Sequence, residues 1–411
     1  MENNTLFGIL PTNWRLEPLY KLTSSIKRGR QPKYSERSDS IPVINQKMIR
    51  NRSIDYQYVK YHDRNKSISE EAFVCKNDIL INSTGVGTVG RSVFISDELK
   101  QATFADSHLT IVRPDTTMVN PRYLSIILSS DRYTRFFEET LAQGSTGQVE
   151  LSRKKLQELE VPVPSGKTQQ AIAYIFEGID EKITLNQRIN ENLLRLMNVQ
   201  WKNMFGSLNA ENGHFTDLAT VAAGGTPSKK QADYFGGDIS WITPKDMSLT
   251  NDVFIERGLL NITEAGLRGS SAKLLPKGTL LFSSRAPIGY LGIAANPVTT
   301  NQGFKSLVPK RNENTEYLYF LLKNLTPYIE GIAGGSTFKE ISGAGMKSVE
   351  FPLPTDNQID AFHNIVTPMF DMVRNNEQQN KKLTDLRDLL LPRLLAGDID
   401  LSNIETVMNN A

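Results

Sequence analysis

Apolar residues recur at helical spacing along two long stretches of this chain, and each stretch follows a Pro-x-Pro string. From Gln169 to Phe205 the positions Ile172, Phe176, Ile179, Ile183, Ile189, Leu193, Met197, Trp201 and Phe205 step mostly by threes and fours. That is the stripe of an amphipathic helix with one face to bury. Asn186 and Asn190 interrupt it near its centre. From about Asn357 to Leu395 the stripe Phe362, Val366, Met369, Val373, Leu383, Leu386, Leu390 and Leu394 does the same, with Asn375, Asn376, Gln378, Gln379 and Asn380 at its centre. Pro368 lacks an N–H, so a kink or break is expected there. Two helices with matched stripes predict an antiparallel coiled-coil pair, in which core asparagines lower stability but fix register. Helices of this length exceed what packing on a single domain requires.

Ahead of each helix the period changes. Residues 14–164 read as mixed α/β, with strand-like runs at Ile41–Ile44, Asp78–Asn82, Ser92–Ile95 and Leu109–Val112 and a helical run over Tyr123–Phe137. A linker at Gly206–Gly213 leads to a second mixed stretch from about Phe215 to Pro354. The second stretch repeats the first. Gly144-Ser145-Thr146 and Val161-Pro162-Val163-Pro164 return as Gly335-Ser336-Thr337 and Phe351-Pro352-Leu353-Pro354, and Asp78–Ser83 returns as Gly278–Ser283. A lag this long is a duplicated domain plus helix, since solenoid periods run about 20–50 residues. Two similar units on one rod suggest a linear target with two parts.

Composition narrows the classes. The 411 residues are 39% apolar and 22% charged, which fits a globular chain of two to four domains. No apolar run approaches a membrane span. Met1-Glu2-Asn3-Asn4 does not open a signal peptide. Cys75 is the only cysteine, so there is neither a disulfide framework nor a cysteine zinc site. A cytoplasmic protein with no membrane association is expected. Net charge is only +2, but residues 21–66 hold twelve Lys/Arg (Lys21, Lys27, Arg28, Arg30, Lys33, Arg37, Lys47, Arg50, Arg52, Lys60, Arg64, Lys66) against Glu36, Asp39, Asp55 and Asp63. Such a window suits a polyanion surface, and equally a solvated basic face.

Catalytic signatures are missing. Gly85-Val86-Gly87-Thr88-Val89-Gly90 is a formal G-x-G-x-x-G, but Ser92–Ile95 behind it reads as a strand where a dinucleotide site needs a helix, so a hairpin turn is the expectation. No phosphate loop, H-E-x-x-H or G-x-S-x-G string occurs, nor an Asn-Pro-Pro-aromatic string of adenine methylation. His62, His108, His214 and His363 are scattered, so no metal site is expected.

The string Gly224-Gly225-Thr226-Pro227-Ser228... Tyr234-Phe235-Gly236-Gly237-Asp238-Ile239-Ser240-Trp241-Ile242-Thr243-Pro244-Lys245-Asp246 resembles the opening of recognition domains in the specificity subunits of Type I restriction–modification systems. Gly29–Tyr34 with Ile41–Gln46 is similar to a divergent version, and Leu389–Gly397 resembles the end of a second spacer. The first half lacks the Gly-Gly-Thr-Pro string, and Thr168-Gln169 and Asn357-Gln358 stand where the family usually has Glu-Gln. The resemblance implies an α/β (α+β) fold: a target recognition domain at 1–165, a spacer helix at 166–206, a second recognition domain at 207–355, and a second spacer with tail at 356–411. It implies a non-catalytic subunit that binds double-stranded DNA, each domain reading one half of a bipartite asymmetric site while the helices set the gap. Two modification subunits with S-adenosylmethionine, and restriction subunits with ATP and Mg, would be the partners, with no cofactor in this chain. A protein-binding scaffold and a nucleotide-dependent enzyme remain alternatives; salt-sensitive DNA binding would exclude the first, and absence of nucleotide binding the second.

DNA contact needs cations for phosphates and polar groups for base edges. In the first half the phosphate candidates are Lys27, Arg28, Arg30 and Lys33, with Asn45, Gln46, Lys47 and Arg91 for bases; in the second they are Lys229, Lys230, Thr243, Lys245, Asp246 and Arg285. Ser145, Thr146, Ser336 and Thr337 could offer hydroxyl and N–H groups to phosphates, with Lys339 and Arg153 close behind, or simply form tight turns. Trp14, Trp201, Met204 and Phe205 are candidates for a partner surface or for core.

Overall fold

The computed structural model describes residues 4–6, 8–36, 40–50, 52–85, 87–143, 150–285, 287–335, 339–401 and 404. The chain divides into two compact units, one made of Met1–Lys182 with Lys382–Ala411 and the other of Ile183–Lys381.

The first unit is built on a four-stranded antiparallel sheet ordered Ser92–Phe94, Ile79–Asn82, Leu109–Pro114, Thr23–Arg28. Ile79–Asn82 is buried along its whole length because the sheet is covered on both faces. Ile79 and Ile81 enter a large cluster with Tyr123, Leu124 and Phe176, while Leu80 points to the opposite side with Ile44, Val93 and Ile111. This is the period-2 alternation of a central strand. A second small sheet pairs Phe104–Ala105 in parallel with Ile41–Ile44, which pairs antiparallel with Lys60–His62. Arg15–Pro18 pairs with Glu160–Val163 and ties the unit's start to its end.

The expected helix over Tyr123–Phe137 is two helices, Pro121–Leu128 and Asp131–Phe136. The break follows from local chemistry: Asn120 caps the first, with Pro121 in its opening turn, and the Ser130 hydroxyl accepts from the Tyr133 N–H to start the second.

The second unit repeats this plan. Its main sheet runs Ala219–Ala223, Lys305–Pro309, Leu280–Ser284, Ile288–Ala294, then one added edge strand, Phe254–Ile255. Leu280 and Phe282 face the larger cluster and Leu281 the smaller one, as in the first unit. Phe235–Ile242 pairs in parallel with Thr299–Thr300, matching the parallel pair of the first unit, and Asn212–His214 pairs with Glu350–Pro352. The duplication legible in the sequence therefore extends to strand order and strand sense.

Two long helices, Gly166–Phe205 and Asp356–Leu395, contribute to both units. The first starts just after Pro164 ends the strand Glu160–Val163, and Ser165 Oγ accepts from the Thr168 N–H at 3.2 Å. Within the first unit Ala171, Ile172 and Phe176 share a core with Leu391, Leu394 and Leu395, and Arg387 Nη1 lies 3.1 Å from Asp180 Oδ1. Within the second unit Phe205 packs on Phe362 with ring centroids 5.6 Å apart. Asn186 Nδ2 donates to Gln379 Oε1 and Asn380 Oδ1, each at 2.8 Å, and Asn376 Nδ2 donates to Asn190 Oδ1 at 2.8 Å. In each unit the pairing is antiparallel, as the stripes predict, and the asparagines hydrogen-bond across the seam.

Two expectations for the second helix need correction. Asp356–Leu395 is one helix through Pro368, so the break expected there does not occur. Pro368 sits on the exposed side, together with Asn364 whose carbonyl loses its N–H partner, while Val366, Phe370 and Val373 are locked in the core. Leu386 is 45% exposed and does not belong to the buried stripe; Leu391, Leu394 and Leu395 take the inner face.

Glu377 on this helix accepts from the backbone N–H groups of Val253 (2.7 Å) and Phe254 (3.1 Å), fixing the edge strand to the helix. Burial first, then the neighbouring Asp252 charge, push its carboxyl up from 4.5 to about 8, against the opposing pull of those N–H groups and Arg374. A carboxyl whose folded value is raised binds its proton more tightly in the folded state. Its contribution is therefore complete below about 4.5 and is lost as pH rises through about 8. Urea unfolding followed by tryptophan fluorescence should show the second unit losing stability over this window, and Glu377→Gln should flatten the slope. An unchanged slope in the variant would assign the pH dependence to other groups.

Candidate nucleic-acid interface

In the first unit the central hairpin ends in a turn that includes Ser83–Gly85 and Gly87–Arg91. Gly85, Gly87 and Gly90 have φ of +96°, +71° and +83°, values that favour glycine. A strand, Ser92–Phe94, follows directly, so the glycine string forms a hairpin turn. Two further segments converge on it. Asn82 Nδ2 donates to the Gln46 carbonyl at 3.1 Å, and Thr84 Oγ1 donates to Gln46 Oε1 at 3.0 Å and contacts His108 Nδ1 at 2.8 Å. Gln46 is thus half-buried beside the turn, and Lys47 next to it is exposed. Arg91 Nη2 donates to the Gly87 carbonyl at 2.8 Å. Burial lowers the Arg91 pKa, and the nearby Arg50 charge lowers it further, while Glu138 opposes. A guanidinium pair of this kind gains from any anion that approaches it.

Several sequence candidates have structural partners within the unit. Asn45 is buried; its amide donates to the Tyr58 carbonyl at 2.9 Å and accepts from the Lys47 N–H at 3.0 Å, so it shapes the loop. Lys27 pairs with Glu71, and Arg28 Nη2 lies 2.7 Å from Glu150 Oε1, so both charges are compensated. Desolvation by burial lowers the Arg28 pKa, and the Glu150 charge opposes this. Arg30 and Lys33 are exposed. Tyr34 is exposed too, with Lys60 Nζ 4.7 Å above its ring. Lys60 and Arg50 were not singled out by the sequence, although both lie in its basic window.

In the second unit Lys229, Lys230 and Lys245 are exposed. Thr243 and Asp246 form a capping box: the Asp246 carboxylate accepts from the Thr243 N–H (2.7 Å), the Thr243 hydroxyl (2.6 Å) and the Leu259 N–H (2.8 Å). These bonds give both residues a local structural role at the start of the short helix Pro244–Met247. The Gly224-Gly225 string is a packing requirement, since a Cβ on Gly224 would lie 2.0 Å from the Asn301 carbonyl oxygen. Arg285 occupies the turn after Leu280–Ser284, half-buried, with Nη1 3.9 Å from Glu340 Oε2. Lys339 Nζ donates to the Glu330 carbonyl at 3.3 Å. Ser145, Thr146, Ser336 and Thr337 lie outside the described residues. Trp14, Trp201 and Phe205 are buried and belong to the cores.

Among the described residues no cluster of His, Cys, Asp and Glu could hold a metal ion, and no helix is long and apolar enough to cross a membrane.

A family model described as Type I restriction modification DNA specificity domain matches residues 20–195 and again 209–385. The chain is 46% identical over 196 residues to the Type I restriction enzyme MjaIX specificity subunit of Methanocaldococcus jannaschii, a stretch covering 47% of this chain and 45% of that relative. It is 25% identical over 402 residues to the Type I restriction enzyme HindI specificity subunit of Haemophilus influenzae, covering 79% of this chain and 87% of that one. The fold is similar to that of a Type I restriction-modification system S subunit from M. genitalium, with a TM-score of 0.51 at 18% identity over 93% of this chain and 96% of the other. With two matches that together span most of its length, the chain belongs to the family of Type I restriction–modification DNA specificity domain proteins.

Proposed function

We propose that this chain is the sequence-reading subunit of a Type I restriction–modification complex and performs no catalysis itself. Each unit reads one half of an asymmetric bipartite site in double-stranded DNA, and the helices set the unread gap. Two modification subunits dock on the helices, carry S-adenosylmethionine and methylate an adenine in each half-site, taking the base out of the stack to do so. Restriction subunits add ATP- and Mg-dependent translocation and cleavage. The boundaries 1–165, 166–206, 207–355 and 356–411 serve as the working division into readers and spacers. The observation that carries the reading is the duplication of one strand order, with a turn bearing an arginine at the same end of the main sheet in both units.

Within this reading the exposed cations Arg30, Lys33, Lys47, Lys229, Lys230 and Lys245 supply phosphate contacts, while Gln46, Arg91 and Arg285 sit at the turns where base edges would be met. Ser145, Thr146, Ser336, Thr337 and Lys339 remain candidates for phosphates.

Long-read methylation mapping of cells that express this chain with its cognate modification subunit should reveal one bipartite motif with a fixed gap, methylated on both strands. An assembled complex that binds its methyl donor yet leaves no new methylation would refute the reading. A Lys229→Ala/Lys230→Ala double variant should bind the motif more weakly, and its log–log dependence on salt should be shallower by roughly 1.8. The motif itself should not change; an unaltered salt slope would remove these lysines from the phosphate contacts.

A further inference from the structure

The two units place a cation–glutamate pair at the same point of the fold, yet they take the cation from different strands. In the first unit the Leu151 N–H donates to the Ser83 carbonyl at 2.8 Å; in the second the Ile341 N–H donates to the Ser284 carbonyl at 3.0 Å. Thr84 bridges Glu150, and Arg285 bridges Glu340. Glu150 also pairs with Gln143, and Glu340 with Gly334. Glu150 and Glu340 are therefore equivalent, although the text around them differs.

The cation facing each one follows from strand register. Val112 sits opposite Ile26, and Thr110 opposite Arg28; Leu307 sits opposite Val221, and Lys305 opposite Ala223. Position for position, Arg28/Thr110 has become Ala223/Lys305. In the first unit Arg28 reaches Glu150 at 2.7 Å and the Leu151 carbonyl at 3.0 Å, while the Thr110 hydroxyl meets Ser83 Oγ at 2.6 Å. In the second unit Lys305 does both tasks from the neighbouring strand, with Nζ 3.3 Å from Glu340 Oε1 and 3.4 Å from Ser284 Oγ. The cation has moved across the strand pair, and its place has been taken by a small residue. The geometry of the pair has been kept while its chemistry changed.

We propose that this pair is a positioning element for DNA reading: Glu150 and Glu340 fasten the arm that follows the Gly-Ser-Thr string to the hairpin turn, and Arg28 and Lys305 are the counter-charges that hold them. This rests on the reading that each unit binds DNA. The carboxylates are partly exposed, with side chains 66% and 40% accessible, whereas the cations are largely covered at 23% and 11%. A bare glutamate beside a polyanion would repel it. A covered cation beneath removes that repulsion and fixes the carboxylate at once. Turn and arm then meet DNA as one preorganised surface, and the ordering cost is not charged against binding. Glu150, Glu340, Arg28 and Lys305 are positioning residues; the contacts themselves belong to the turn.

The test uses the full chain assembled with its modification subunit, and a duplex carrying the motif found by methylation mapping. Glu340→Gln and Lys305→Thr should each relax base choice in one half of the motif and weaken binding by roughly tenfold, about 1.4 kcal/mol. The other half and the gap should be unchanged. Amide exchange should rise at residues 334–335, 339–341 and 284–285 and nowhere else. Moving the cation to its position in the first unit, Ala223→Arg/Lys305→Thr, should restore affinity to within about threefold of the wild type, since the same charge-assisted contact is rebuilt. Unchanged motif and affinity in Glu340→Gln would overturn the proposal. So would relaxation of both halves with a fallen Tm, or a double variant no better than Lys305→Thr. If exchange rises locally but the wild-type chain directs no bipartite methylation, the DNA-reading function fails and the pair is a fold element only.

Discussion

Neither unit closes its core with its own half of the sequence. The first unit buries Leu391, Leu394, Leu395 and Leu401, which arrive from the far end of the chain, against Ala171, Ile172 and Phe176. The second buries Met197, Trp201 and Phe205 with Phe362, Val366, Phe370 and Val373. Removing these side chains from water is the dominant stabilising term, at roughly 1.5–3 kcal/mol for each large residue. The antiparallel run of the two helices is therefore a condition for both sheets to fold. Everything that presents the turns depends on it: the central strands Ile79–Asn82 and Leu280–Ser284 are held on the helix side by the same clusters.

From that scaffold the chemistry moves outward in steps. Strands buried on both faces end in polar turns, because backbone groups leaving the sheet need water or side-chain partners. In the first unit Thr88 Oγ1 donates to the Thr84 and Gly85 carbonyls and Arg91 Nη2 to the Gly87 carbonyl; in the second Ser283 Oγ donates to the Pro287 carbonyl and accepts from the Tyr290 N–H. Lys47, Lys229, Lys230 and Lys245 are exposed, while Lys27, Arg28 and Lys305 have glutamate partners.

Periodicity made the helices legible to within a few residues, because a forty-residue amphipathic pattern leaves few alternatives. The repeat was legible from strings such as Gly-Ser-Thr and Pro-x-Pro, and strand order follows it. Pro368 misled because intrinsic propensity was overruled by the buried neighbours Val366 and Phe370. The local bonds of Asn45, Thr243 and Asp246 were not legible, because their types suit base edges, loops and caps alike and only geometry shows the loop and cap partners. The cation–glutamate pair was invisible for a different reason. Its cation changes strand between the units, so an alignment of one half on the other sets Arg28 against Ala223, and only the hydrogen-bond register reunites them.

The central claim is that two equivalent units act as independent readers. The most direct measurement replaces residues 14–164 with the matching segment of a family member that directs methylation to a different motif, followed by methylation mapping of the host DNA. The account predicts that one half of the motif changes to that of the donor while the other half and the gap are retained. A change in both halves would contradict it, because the units would then be reading the DNA jointly.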